Sequence, residues 1–202
     1  METQFGLVAP WQADRAPGTL AVQVIVLVQS PGPVEVASLR ETLGSVAAAP
    51  VARRLLAAGG AGADLPSAGF DAMGLRVGAF GDRLAGALAD AYAAAALPML
   101  LIRSDILGVS PDMLEDAALA LLSGEADAAL GMASDGGFWL LGLRRPDRSL
   151  VIGIEPPGAG SGAGGGRLLL DRLASAGLRV ALAPRLEAAA GGPGLPARPP
   201  GR

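Results

Sequence analysis

No cysteine, histidine, lysine or asparagine occurs anywhere in the chain, so every basic side chain is an arginine. Those absences exclude whole mechanisms. Without Cys or His there is no zinc finger, no thiol nucleophile and no serine hydrolase that uses a histidine base. Without Lys there is no phosphate-binding lysine of the Walker type and no pyridoxal Schiff base. Carboxylates, arginine, hydroxyls and backbone amides remain to carry chemistry.

Charge and aromatic residues are scarce as well. Charged residues make up 17% of the chain and the net charge is -3, with a pI near 5.0. The arginines are scattered, and two Trp, one Tyr and four Phe are all that is available for base stacking. A nucleic-acid-binding surface is therefore not expected. Long hydrophobic runs are also missing, although mean hydropathy is +0.44 and 51% of residues are apolar. The longest run, Ala91 to Ile102, is broken by Pro98 and falls short of the roughly 20 residues of a membrane helix. Residues 1–19 lack a basic start followed by an apolar stretch, so no signal peptide and no membrane span are expected, and the cytoplasm is the expected location.

A chain of 202 residues suits one domain, expected over residues 20–186 between an N-terminal extension (1–19) and a Gly/Pro/Arg tail (187–202). Leu20 to Val28 is almost continuously apolar and rich in Val, the pattern of a strand buried on both faces of a parallel sheet. A helix over Val36–Ala48 follows, with Leu39, Leu43 and Val46 on one side. Weaker strand signals lie at Arg54–Ala57 and Leu75–Val77. Asp82–Ala96 has helical spacing through Leu84, Leu88, Tyr92 and Ala95, and Met99–Ile102 reads as a second buried strand. Ser110 is a natural N-cap, with Pro111 at the first helical position and Leu114, Ala118, Leu121 and Leu122 spaced along one face. Two strands, Ala126–Leu130 and Gly137–Leu143, flank the turn Ser134-Asp135-Gly136. A helix over Arg167–Ala176 precedes a last strand, Leu178–Leu182, that Pro184 should end. Strands alternating with helices predict an α/β domain with a mainly parallel sheet covered on both faces. The low-complexity stretches Pro156–Gly166 and Gly191–Arg202 are expected to be disordered.

Two acidic residues stand at positions where chemistry is performed. Asp105 follows the strand Met99–Ile102, and ligands of open α/β sheets collect at the carboxyl ends of strands. A carboxylate there can hold a divalent cation that neutralises a diphosphate. An isolated strand-end Asp is more often a simple turn or cap residue. Asp135 lies in Gly131-Met132-Ala133-Ser134-Asp135-Gly136-Gly137, whose glycines permit close approach of a ligand to the backbone. It could be a metal ligand, a base or a sugar contact, while an ordinary Asp-Gly hairpin turn needs no function. The turn Ser30–Val36 could cradle a phosphate by position alone. Arg144 and Arg145 fit a solvated edge better than a phosphate clamp.

Taken together, LLIRSDILGVSP (Leu100–Pro111) and DAALGMASDGGFWLLGLRRPD (Asp127–Asp147) resemble a bacterial family of small GT-A-like transferases, domain-of-unknown-function family 2064, often labelled glycosyltransferase. Ser45–Gly60, Gly81–Tyr92 and Gly177–Leu186 follow the same course, so the resemblance spans roughly residues 21–186. It implies a three-layer, Rossmann-like GT-A fold and a nucleotide sugar or nucleoside triphosphate as ligand. It also implies a divalent Mg or Mn ion at Asp105, catalytic roles for Asp105 and Asp135, and a substrate-binding surface at Ser104, Gly136 and Gly137. The chain departs from the family pattern in its charged positions. The basic turn usual after the first strand is here Pro31-Gly32-Pro33-Val34-Glu35, and the usual Asp-x-Asp-Thr after the last strand is Glu187-Ala188-Ala189-Ala190. Arg103 stands where Gly is common. Two functions from different classes follow: a transferase acting on a nucleotide-activated substrate, or a non-catalytic family member that serves as a binding or partner subunit.

Overall fold

A computed structural model describes residues 7–8, 18–28, 33–58, 68–156 and 165–189. In chain order the elements are β1 (Leu7–Val8), β2 (Leu20–Val28), α1 (Pro33–Ala48), β3 (Val51–Ala58), β4 (Asp71–Gly74), α2 (Phe80–Ala94) and β5 (Met99–Arg103). They continue as β6 (Ile106–Leu107), α3 (Pro111–Leu122), β7 (Ala128–Ala133), β8 (Phe138–Leu143), α4 (Arg148–Val151), α5 (Gly165–Ser175) and β9 (Val180–Ala188). The sheet order is β1-β9-β7-β8-β5-β2-β3-β4, with β6 paired to β9 outside that path.

The expected mainly parallel sheet is present, with β8 the exception along its main path and β6 pairing antiparallel to β9 beside it. Strand β8 runs antiparallel to both neighbours, β5 and β7, because a short hairpin joins it to β7. Two reversals restore direction, so β7 is parallel to β5 and both end at the same edge of the sheet. That edge is where Asp105 and Asp135 lie.

Both faces of the sheet are covered, which explains the unbroken apolar run of β2. Val22, Val24, Val26 and Val28 pack into one core with Leu39 and Leu43 of α1 and Leu114 and Leu121 of α3. Ile25 and Leu27 face the opposite core, beside Leu84 and Leu88 of α2 and Leu169 and Leu173 of α5. Successive side chains of a strand alternate between faces, so a strand buried twice must be apolar throughout. Buried apolar area contributes roughly 25 cal/mol per Å2, and the two layers share this stabilisation. Gln23 is the polar exception in β2. It is fully buried, and its Nε2 donates to the carbonyls of Ala95 (3.0 Å) and Leu97 (3.3 Å), holding the loop between α2 and β5.

Local signals account for several boundaries. Ser110 caps α3, its Oγ accepting from Met113 N at 3.3 Å, and Pro111 occupies the first turn. Leu122 is an exception to the expected apolar face, being 37% exposed at the helix end, while Leu114, Ala118 and Leu121 are buried. Gly177, at φ 70°, ends the turn after α5.

Three expectations are corrected. The strand expected at Leu75–Val77 lies earlier, at Asp71–Gly74, as an edge strand beside β3. With one neighbour and no buried residue, β4 needs no apolar alternation, so its sequence carries no strand signal. The last strand is not stopped by Pro184 and runs from Val180 to Ala188. Register along β7 and β9 shifts between Gly131/Ala183 and Ala133/Leu186, so Pro184 lies at a bulge, where its missing N–H interrupts no ladder. The Gly-rich segment expected to extend through Gly166 ends sooner, since Gly165 and Gly166 begin α5. Residues 157–164, Gly191–Arg202 and the turn Ser30–Gly32 lie outside the described residues.

Candidate functional site

Asp105 and Asp135 meet at one arginine. Arg103 is the last residue of β5, and only 1% of its side chain is exposed. Strand alternation places it on the same face as Met99 and Leu101, above the core that α2 and α5 cover. Its guanidinium donates from Nε to Asp105 Oδ1 at 2.9 Å and from Nη2 to Asp105 Oδ2 at 2.5 Å. On the other side it donates from Nη1 to Asp135 Oδ1 at 3.2 Å and from Nη2 to Asp135 Oδ2 at 2.7 Å. Nη1 also donates to the Phe138 carbonyl at 3.2 Å. A guanidinium has five N–H donors, and these five bonds use all of them.

The electrostatics follow from burial and pairing. Burial opposes the charge on Arg103, but hydrogen bonds to Asp105 and Asp135 outweigh it and push the guanidinium's proton affinity up. Burial also pushes Asp135 up, and the Arg103 hydrogen bonds and charge overcome that and hold its carboxyl below the usual carboxylate range. Asp135 is thus a fixed anion and a weak base. The side chains of Asp105 and Asp135 remain 30% and 23% exposed, so one edge of the triad faces solvent while its centre does not.

The turn that carries Asp135 is a tight hairpin, with Gly136 N donating to Ala133 O at 3.2 Å and Ala133 N to Gly137 O at 2.9 Å. Gly136 sits at φ 80°, the left-handed position that closes such a loop. Asp135 Oδ1 further accepts from Gly137 N at 2.9 Å. The close backbone approach expected of a ligand is made by the chain itself. Gly166 N donates to Gly136 O at 3.2 Å, and a Cβ on Gly166 would lie 2.5 Å from Gly137 O. Gly136 and Gly137 therefore seat the start of α5. Ser104, buried, donates its backbone N–H to Leu27 O at 3.2 Å, which ties the Asp105 turn to β2.

The end of β9 joins the two acidic turns. Ser134 N donates to Leu186 O at 2.9 Å, Ala188 N to Ser134 Oγ at 3.0 Å, and Ala189 N to Asp105 O at 2.8 Å. The resemblance would place further metal carboxylates here, at the end of β9. Its one acidic residue, Glu187, is exposed and pairs in register with Leu107.

These residues do not fit the divalent cation implied at Asp105. Hard cations require several oxygen ligands converging on one point. Asp105 and Asp135 are both engaged by the positive charge of Arg103, which a second cation beside it would have to meet, and among the described residues no three His, Cys, Asp or Glu side chains group to hold a metal ion. The one signal in sequence was Arg103 itself, an arginine at the end of a fully apolar strand.

Several solved structures with this architecture are described as transferases or synthetases. A candidate nucleotide-diphospho-sugar transferase from Desulfovibrio desulfuricans G20 superposes with TM-score 0.70 at 19% identity, over 83% of this chain and 81% of that one. The mannosyltransferase PcManGT from Pyrobaculum calidifontis, solved with GDP-Man and Mn2+, gives 0.55 at 18% identity, over 91% of this chain and 62% of that one. CMP:2-keto-3-deoxy-manno-octonic acid synthetase, solved with CTP, gives 0.57 at 12% identity, over 85% and 92%. No functionally curated protein matches the chain in sequence. The fold is that of the GT-A nucleotide-diphospho-sugar transferases. Residues 42–155, more than half of the chain, match the family described as uncharacterized protein conserved in bacteria (DUF2064), and the chain belongs to that family. No described helix is long and apolar enough to cross a membrane.

Proposed function

We propose that the chain is a transferase-type protein that takes a nucleotide-activated substrate, a nucleotide sugar or a nucleoside triphosphate, at the carboxyl edge of β5 and β7. The observation that carries this is the convergence of Asp105 and Asp135 on Arg103 at that edge, where ligands of open α/β sheets collect. Each Asp105 oxygen accepts one of the Arg103 bonds, and a carboxylate oxygen has room for a second. Asp105 is accordingly the group to accept a hydroxyl of the acceptor, and Asp135, held ionised, orients rather than abstracts. Relatives of the fold solved with GDP-Man or CTP support the ligand class.

A second function, a non-catalytic member acting as a binding or partner subunit, is favoured by one observation. All five donors of Arg103 are consumed internally, so the most buried cation of the site has nothing left for a phosphate. A thermal-shift panel of nucleotides and sugar nucleotides separates the two. Ligand at a hundredfold its Kd stabilises by about 2.7 kcal/mol. A shift lost in Asp105→Asn, with turnover of the same donor, supports the transferase. No shift across the panel, with a second protein co-purifying stoichiometrically, supports the subunit.

A further inference from the structure

We infer that the Arg103 guanidinium is the resident cation of this site. It occupies the space between the Asp105 and Asp135 carboxylates, and the chain binds neither Mn2+ nor Mg2+ there. This goes beyond the transferase proposal and holds whether or not a nucleotide-activated substrate is turned over.

Three observations converge on it. The first is position: Arg103 lies between the two carboxylates that follow β5 and β7, and it reaches both Asp105 and Asp135 through paired bonds. The second is saturation. Four carboxylate oxygens and the Phe138 carbonyl take all five guanidinium donors, so a metal entering between the carboxylates must displace Arg103 from them. Displacement would leave a guanidinium that is 1% exposed without a counter-ion. The third is the missing remainder of a metal site. The end of β9 is stitched to both acidic turns by backbone bonds at Asp105 O and Ser134, yet it offers Ala188 and Ala189 there, with Glu187 turned to solvent.

The substitution changes the charge of the site. Two carboxylates and a divalent ion sum to zero, whereas two carboxylates and a guanidinium leave one negative charge. Such a triad does not itself neutralise a diphosphate, so the phosphates of a nucleotide-activated substrate fall to other groups at the edge. The groups the triad presents outward are acceptor oxygens of Asp105 and Asp135, which suit the hydroxyls of a sugar or other polyol.

Mn2+ titration of the full-length chain, read by the loss of the free-ion electron paramagnetic resonance signal, tests the inference. Wild type should leave the signal unchanged, and Arg103→Met, checked for folding by circular dichroism, should take up one Mn2+ per chain. Where Arg103→Met does not fold, Arg103→Gln replaces it, because its shorter amide keeps a hydrogen-bond donor beside the two carboxylates. Uptake of one Mn2+ by wild type that is lost in Asp105→Asn overturns the inference. So does a folded Arg103 variant that takes up none, since the carboxylates would then not form a cation site at all. Nucleotide-induced shifts in melting temperature are read separately in EDTA and in Mn2+. Their absence counts against the transferase proposal alone, and a shift that requires Mn2+ in wild type counts against the resident-cation inference alone.

Discussion

Asp135 accepts two N–H groups from Arg103, at 3.2 and 2.7 Å, although 32 residues separate the two in sequence. The pair fastens the β7–β8 hairpin to the end of β5. Since Asp105 takes the opposite side of the same guanidinium, two chain segments that end at one sheet edge share a single charge.

The partners of this network are unequal, and so should be the cost of removing them. Arg103 is buried, whereas Asp105 and Asp135 are 30% and 23% exposed and can turn to water. Replacing both Asp by Ala leaves a buried unpaired guanidinium, and the double variant is expected to lose about 3–5 kcal/mol. Arg103→Met removes the charge that cannot be hydrated and should cost less, about 1–3 kcal/mol for the Phe138 carbonyl and carboxylates left without donors. Arg103→Lys should not restore wild-type stability, because one ammonium cannot present a planar fork to two carboxylates. Urea unfolding of the four proteins ranks them, and an Arg103→Met less stable than the double Asp variant contradicts the account.

Acid should act on the same bonds. The folded-state affinity of Asp135 for protons is depressed, net of burial, by Arg103. A group depressed in the folded state stabilises above its unfolded pKa, about 4 for Asp, and that contribution is lost as pH falls through the folded value. Stability of wild type should therefore decline below about pH 4, with a smaller slope in Asp135→Asn over the same window. Asp127, lowered chiefly by its hydrogen bond with Arg179, adds to the wild-type slope and remains in the variant. Equal slopes in denaturation curves across that range would remove Asp135 from the account.

How much of this was legible in the sequence depends on the length scale of the cause. β2, β5 and α3 were readable because apolar continuity and a Ser-Pro cap are local facts, written in consecutive residues. β4 was not, since an exposed edge strand is specified by the backbone of β3 and not by its own side chains. Pro184 was misleading because the bulge that accommodates it arises from register against β7. Asp105 and Asp135 were located as polar landmarks at strand ends, but their mutual engagement was hidden. It needs a partner from each of two turns and an arginine whose burial is a tertiary property.

Gly131 and Trp139 form a pair that neither local pattern announces. A Cβ on Gly131 would lie 2.3 Å from Trp139 Nε1, whose N–H donates to Pro184 O at 2.8 Å. Gly131→Ala should cost about 1–3 kcal/mol by overpacking. In a double-mutant cycle with Trp139→Leu the two losses should be less than additive, because the smaller side chain removes the clash. Strict additivity in denaturation midpoints would place the strain elsewhere.

The neighbouring glycines Gly165 and Gly166 offer the sharpest contrast. Both open α5, where alanine is favoured over glycine by about 1 kcal/mol of helix propensity. Their surroundings differ. A Cβ on Gly165 would meet Ile154 Cγ2 at 3.0 Å, a side-chain methyl for which a shift of a few tenths of an ångström relieves the contact. On Gly166 it would meet the Gly137 carbonyl oxygen at 2.5 Å, and that oxygen is fixed by Ala133 N at 2.9 Å inside the Asp135 hairpin. Gly165→Ala is therefore expected to be neutral or stabilising by up to about 1 kcal/mol. Gly166→Ala should destabilise by about 1–3 kcal/mol despite the same gain in propensity. Amide hydrogen exchange locates the effect, with protection falling in α5 and at Gly137 for Gly166→Ala and unchanged for Gly165→Ala. Should the two variants behave alike, helix propensity governs this corner and the seat of α5 on the Asp135 turn carries no stability of its own.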